Sequence, residues 1–479
     1  MAQNQLIKGS LYLLAQLIPA VAAIFTLAIY TRWLTAEEFG TYSTLLVVAT
    51  AVNLMLFNWL YVGVYRFWND GQLSGQDLQL VMIVSLCGAS ILVLALCTML
   101  AIWTQQYLLL AAFALLLICG AFFSAYQRVN AIKQQAGRFL WTETLKVLIA
   151  SLTGVFLVWQ GFSWPGIIAG LCIGFISVLL FSRHFRQLFF VWPKINDADL
   201  FRRLLVYGLP LSITFVLLEI IHASDRILLS WLLSIEAAGQ YAAAISLPNQ
   251  LLLMLGNAVG MALYPRIIRL FEHSGEERAA EELSNYFLIL FGILLPAWFG
   301  LIAVRHDFIP LILGEEYVAS ALMLLPWLGA AIVMNCLYLF YVSYAFQLSH
   351  QTAATIRVVL GATLLNILLN SLLIPLSGVF GAALATIAAY AVCVVYGFWE
   401  GNRHFPLTIE YSALLKIVLS AALMLIILEI LPLHYGWFPG LLRVFIGIIV
   451  YTLLILLMDI AGIRSVVLRH MRGLTTGLR

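Results

Sequence analysis

Leu34-Thr35-Ala36-Glu37-Glu38-Phe39-Gly40-Thr41-Tyr42 recurs as Leu233-Ser234-Ile235-Glu236-Ala237-Ala238-Gly239-Gln240-Tyr241. Leu, Glu, Gly and Tyr match in register, and the same register pairs Gly9 with Gly208. Each copy follows one long apolar segment and precedes another. A polar corner repeated between apolar segments predicts a chain made of two homologous halves. The corner itself reads as a tight turn, with Gly allowing the bend and Tyr anchoring at a membrane interface.

The surrounding composition sets the class. The 479 residues are 63% hydrophobic and 10% charged, with a mean hydropathy of +1.01. A soluble domain carries about 25% charged residues, so most of this surface does not face water. Apolar runs of membrane-spanning length, about 20 residues, recur near 9–32, 42–65, 79–103, 107–126, 139–160, 163–182, 205–230, 238–263, 284–304, 318–346, 352–375, 378–399, 412–431 and 440–462. The reading is an all-α integral membrane protein with about 14 transmembrane helices. The first span is too long for a cleaved signal, and no cleavage site with a polar mature domain follows it. Cys87, Cys97, Cys119, Cys172, Cys336 and Cys393 all fall inside spans without metal-type spacing and read as small core hydrophobes.

Orientation follows from Lys and Arg. With a cytoplasmic N-terminus, and with Lys146 left out because it falls deeper within a span, the inside holds twenty of them and the outside only Arg32, Arg226, Arg305 and Arg443. The bias alternates correctly through all the spans, which supports the count and places both termini in the cytoplasm. The inside group includes Lys8, Arg66, Arg128, Lys133, Arg138, Arg183, Arg186, Lys194, Arg357 and the tail arginines Arg464, Arg469, Arg472 and Arg479.

The repeat continues past the corner. Gln105-Gln106-Tyr107 matches Glu315-Glu316-Tyr317, Thr144–Leu148 matches Thr355–Val359, and Gly166–Ala169 matches Gly378–Gly381. Each half is therefore six spans. An even number gives both halves the same orientation, a parallel repeat about an axis along the membrane normal, as alternating-access transporters are often built. The expected organisation is an N-terminal lobe at 1–184, a cytoplasmic linker at 185–204, a C-terminal lobe at 205–400, and two extra helices with a basic tail at 401–479. Short outside connections are expected at Thr104–Gln106, Gly161–Phe162 and Leu376–Ser377.

Three motifs carry a family resemblance: the corner at Leu34–Tyr42, Leu313-Gly314-Glu315-Glu316-Tyr317, and Asn366-Ile367-Leu368-Leu369-Asn370 followed by Ile374–Thr386. On these the chain resembles the polysaccharide flippases of the MOP superfamily, the O-antigen and exopolysaccharide repeat-unit transporters. The resemblance implies a MATE-like fold of two six-helix bundles. It also implies a cargo, an oligosaccharide on a polyprenyl diphosphate of the undecaprenyl type, moved from the cytoplasmic to the periplasmic leaflet of the inner membrane. Membrane lipids, a polysaccharide polymerase and a chain-length regulator are the expected partners; no nucleic acid, metal or cofactor is expected. A MATE-type cation-coupled exporter and a peptidoglycan-precursor flippase are the alternatives. A membrane enzyme is disfavoured, because the outside loops are short and hold no nucleophile–base arrangement.

Such a cargo needs a cationic interior, and ionisable residues within spans tend to face a cavity or a partner. Lys146 and Arg357 occupy matching positions of the two halves. They read either as cations gripping phosphate oxygens or as snorkelling residues, and Glu143 one turn before Lys146 offers a helix-surface pair. Glu219, His222 and Arg226 share one face of span seven, with Asp225 one turn from His222. The group reads as cavity lining, a proton relay or an ion-pair cluster. Arg32 and Arg66 lie at the ends of spans one and two. Asn366 and Asn370, with Asn335, read as interhelical hydrogen-bonding amides.

Overall fold

The structure is a computed structural model and describes residues 2–69, 75–133, 135–182 and 198–459. Of these, 92% are helical, with no strand among them. That is what a bilayer demands of a spanning chain, since a helix satisfies its backbone groups internally. Among the described residues, eleven helices are long and apolar enough to cross a membrane, or twelve when the bent pair Leu200–Pro210 and Ser212–Leu232 is taken as one span. The difference from the expected fourteen lies in two places. The first helix contributes only Ile18–Trp33 as a shorter apolar helix, and the expected spans eleven and twelve run together over Thr352–Gly401.

Packing divides the chain into two compact units, Met1–Ala242 with Val359–Ala385, and Ala243–Val358 with Thr386–Arg479. The expected sequence halves divide it elsewhere. In the first unit, the six N-terminal helices are α1 (Ala2–Trp33), α2 (Ala36–Asn69), α3 (Gly75–Thr104), α4 (Tyr107–Ile132), α5 (Ala136–Trp159) and α6 (Ser163–Phe181). They are joined by α7 (Ala198–Leu232) and the start of α8 (Ile235–Ser274). The reason is a close seam between α2 and α7. A Cβ on Gly208 would run into the Trp59 carbonyl, Gly63 lies against Leu204, and the Asn58 side-chain amide donates to the Ser212 hydroxyl at 3.3 Å. Leu60, Val64, Leu78, Leu86, Leu117 and Leu204 form the buried core around it.

Most of the expected linker, 183–197 with Arg183, Arg186 and Lys194, lies outside the described residues, as do the tail arginines beyond 459. Ala198–Leu204, the last residues of the expected linker, are the first turns of α7. A 48° bend in α7 falls at Pro210, where the ring removes a backbone donor. The expected tight connections are present, with positive φ at Gln105 and Gly161.

The second unit holds the rest of α8, α9 (Glu276–Ala303), α10 (Arg305–Ile312), α11 (Glu315–Leu337), a π-helical turn (Tyr338–Val342) and α12 (Ser343–Leu348). It also holds the two ends of α13 (Thr352–Gly401), and α14 (Tyr411–Ile430) and α15 (Trp437–Met458). The middle of α13 belongs to the first unit and breaks at Gly378, whose φ of 61° and ψ of −140° are not helical. The break falls one residue after the expected Leu376–Ser377 connection. The six cysteines are free thiols, all but Cys87 buried.

The repeated corner is built by helix caps. In the first copy Thr35 and Glu38 form a reciprocal capping box: the Thr35 N–H donates to Glu38 Oε2 at 3.0 Å and the Glu38 N–H to Thr35 Oγ1 at 3.3 Å. The other carboxylate oxygen of Glu38 accepts the Ser163 hydroxyl at the start of α6. The second copy keeps only half of this, the Ala237 N–H donating to Ser234 Oγ at 3.1 Å. The glycines do not bend the chain as expected, since both lie inside helices. They allow contact: a Cβ on Gly40 would meet the Ile235 carbonyl, and one on Gly239 the Ala36 carbonyl. Tyr241 is not an interfacial anchor either but a buried side chain.

Candidate functional site

The first unit contains a cavity of about 500 Å³, walled by α2, α4, α5 and α6. Its polar lining comes from Asn53 and Asn58 on α2, Ser124, Gln127 and Arg128 on α4, and Glu143 and Lys146 on α5. Phe123 and Phe175 supply an aromatic side, with the Lys146 ammonium 4.7 Å and 6.0 Å from their ring centres. The walls come together because short connections hold α5 against α6, and Gly170 and Gly174 let them close. A Cβ on Gly170 would meet the Gly154 backbone at 2.5 Å, and one on Gly174 the Lys146 carbonyl at 2.7 Å.

Lys146 is the predicted residue that this cavity gathers in. Its ammonium is ion-paired with Glu143 Oε2. The two side chains are 21% and 18% exposed and both line the cavity. Glu143 Oε1 accepts the Gln127 side-chain amide at 2.8 Å. Gln127 Oε1 in turn accepts from Thr142 at 3.0 Å and Asn130 at 3.2 Å. A continuous polar network thus links α4 to α5.

Sequence reasoning counted Arg128 only as an inside cation and did not single out Gln127 or Ser124. The signal was the spacing Ser124, Gln127, Arg128, Ala131 on one face of an otherwise apolar helix.

The other predicted cations stand elsewhere. Arg357, in the second unit, is paired with Glu400, which also binds Arg403 at 3.3 Å. Arg226 donates to the Ser43 carbonyl at 3.3 Å, in the seam with α2. Arg32 donates to the Ala28 carbonyl of its own helix at 2.8 Å, and Arg66 is exposed on the last turn of α2.

Two of the cations that break the positive-inside bias are satisfied by acids. Arg305 reaches Glu429 at 3.1 Å. Arg443 pairs with the buried Asp307 at 2.6 Å and donates to the Leu433 carbonyl at 2.6 Å.

Span seven divides its polar residues between faces. Glu219 and His222 are half-buried. Asp225 is fully buried and turns to the middle of α13. Its Oδ1 accepts from Asn370 at 2.7 Å and Asn366 at 3.4 Å, and its Oδ2 accepts the Tyr241 hydroxyl at 2.8 Å. Ser224 donates to Asn366 Oδ1 at 2.6 Å. The two asparagines do hydrogen-bond between helices as read from sequence, and their partner is a carboxylate. Asn335 is buried in α11 of the second unit.

Comparison with known proteins adds to this geometry. The profile of a family described as "Polysaccharide biosynthesis protein" matches residues 29–322. A "Probable low-salt glycan biosynthesis flippase" of Haloferax volcanii is 23% identical over 209 residues, 43% of this chain and 44% of that protein. An uncharacterized membrane protein of Methanocaldococcus jannaschii is 22% identical over 296 residues, 59% of this chain and 56% of that one. The chain thus spans about half the length of these relatives. Among solved structures, the lipid II flippase MurJ in an inward closed conformation superposes with a TM-score of 0.76 at 14% identity, over 95% of this chain and 98% of that one. An inward-facing multidrug resistance MATE family transporter of the MOP superfamily gives 0.57 at 14% identity, over 82% and 97%. These likenesses establish the fold. With the family profile covering more than half its length, the chain belongs to the polysaccharide biosynthesis protein family, on a multi-pass helical fold like that of these two transporters.

Proposed function

We propose that this protein is a flippase, not an enzyme, that carries a polyprenyl-diphosphate-linked oligosaccharide across the membrane by alternating access. The cargo is an O-antigen, capsule or exopolysaccharide repeat unit. The observation that carries the reading is the cavity holding Arg128, Lys146 and several side-chain amides. Cations suit a diphosphate, and amides suit sugar hydroxyls. The orientation expected from the positive-inside bias supports a place for this cavity in the inner half of the membrane, where a lipid-linked precursor made in the cytoplasm would load. The sequence halves 1–184 and 205–400 are the moving parts, the linker joins them, and 401–479 is an addition.

Lys146 and Arg128 are the proposed headgroup contacts here. Arg357, Arg226, Arg32 and Arg66 remain proposed cations of the transport path outside this cavity. Asp225, with Glu219 and His222 on the same helix, is proposed to couple transport to a cation or proton.

The test is a deletion strain. Loss of surface polysaccharide, with lipid-linked intermediate accumulating on the cytoplasmic side and recovery on complementation, is the expected result. Intact polysaccharide without accumulation refutes the reading. Lethality of the deletion with build-up of peptidoglycan precursor would point to that cargo instead.

A further inference from the structure

We propose that Glu143 is a built-in stand-in for the cargo's anion: it occupies Lys146 in the empty protein and is displaced when a diphosphate binds. The proposal rests on the flippase reading above, and makes Glu143 a positioning and specificity-determining residue.

Lys146 does not wait in the cavity as a bare cation. Glu143 Oε2 is on its ammonium, and the Phe123 and Phe175 rings flank it. As built, the pair is neutral and Arg128 is the other cation of the lining. The phenol of Tyr61, also in the lining, is committed to the Ala121 carbonyl at 2.8 Å. Arg138, at the start of α5, is tied to Gln135 at 2.9 Å.

An arriving diphosphate and the carboxylate are like charges seeking one ammonium in a poorly screened space. Their repulsion favours exchange over simultaneous binding. The exchange has somewhere to go. The far oxygen of Glu143 is already bonded to Gln127, which Thr142 and Asn130 hold in place. A rotation of Glu143 away from Lys146 that keeps that contact leaves the carboxylate hydrogen-bonded but without its cation, a cost that the binding of the diphosphate to Lys146 must offset.

The arrangement suits a carrier. Binding must be favourable enough to load and weak enough to release. A competing carboxylate lowers the affinity of Lys146 for every anion, and most of all for monovalent ones, which cannot match it. It also leaves the Lys146–Glu143 pair neutral for the return step.

The experiment uses the full-length protein in nanodiscs and reconstituted vesicles, with farnesyl-diphosphoryl-N-acetylglucosamine as probe. Glu143→Gln is expected to bind the probe at least tenfold more tightly and to turn over at least tenfold more slowly. Inorganic phosphate should become an effective competitor. Glu143→Asp should restore the wild-type pattern, and Glu143→Gln should lose its effect in a Lys146→Gln background. Glu143→Ser serves if the glutamine variant does not fold. Folded variants with unchanged or weaker probe affinity, or a Glu143→Gln effect that persists without Lys146, overturn the proposal. A wild-type protein that binds no prenyl diphosphate overturns the flippase reading, and this role with it.

Discussion

Gly40 and Gly239, equivalent positions in the two copies of the repeated corner, lie in reciprocal contact: a side chain on either would strike the helix that carries the other. The repeat seen in sequence is therefore also a packing element, and the two copies meet each other.

Gly40→Val and Gly239→Val should each destabilise the protein by about 1–3 kcal/mol, the range for overpacking, and should lower transport. Thermal unfolding in detergent checks the first and a vesicle flipping assay the second. Gly88→Ala, where an added methyl meets nothing within 4 Å, is the control and should change stability by no more than about 1 kcal/mol, in the favourable direction.

Tyr241→Phe removes the phenol that donates to Asp225 Oδ2. Interhelical hydrogen bonds in membranes average about 0.6 kcal/mol, so the loss in stability should be small. Asp225→Leu should lose several-fold more, because Asn366 and Asn370 are left facing an apolar group. Unfolding titrations in mixed detergent would show the order. Equal effects would mean that the tyrosine, not the carboxylate, organises the cluster.

Arg443→Ala leaves Asp307 buried without its cation, a change expected to be worth about 3–5 kcal/mol. The double variant Arg443→Ala with Asp307→Ala should recover much of that loss. A double-mutant cycle on stability measures the coupling, and simple additivity of the two single losses would contradict it.

Arg128→Gln and Lys146→Gln should each reduce transport at normal expression, and the double variant should reduce it further than either. Lys146→Gln with Arg357→Gln should also fall below both single variants. Vesicle transport at matched protein levels provides the measurement, and wild-type rates in a double variant would remove that pair from the path.

The helices were legible because hydropathy and length report directly on a bilayer. The break at Gly378 was legible too, as a gap of two residues between apolar runs. Four features were not. Helical spacing put Glu143 and Lys146 on one face but could not say whether that face met lipid or a cavity, which depends on α4 and α6. Asp225 was grouped with His222 by spacing, whereas its partners Asn366 and Asn370 come from a segment more than a hundred residues away. Arg128 sat among cations that the positive-inside rule explains without any cavity, so its place in the lining was hidden by a sufficient bland reason. The corner glycines were assigned to bending because a turn was the nearest local explanation, and close approach between distant helices leaves no local trace.

The two corners have drifted apart chemically while staying in contact. The first is held by its own box and by the Ser163 hydroxyl. The second has Ala237 where the box would need its acid, and keeps a single capping bond. A duplicated element has thus come to hold two unlike caps, the second anchored further along through the Tyr241 hydroxyl on Asp225, so amide exchange should reach Ala237–Gly239 sooner than Glu38–Gly40. If the seam ever parts, the fraying begins on the side of the second copy, and what began as symmetry gives the movement a preferred direction.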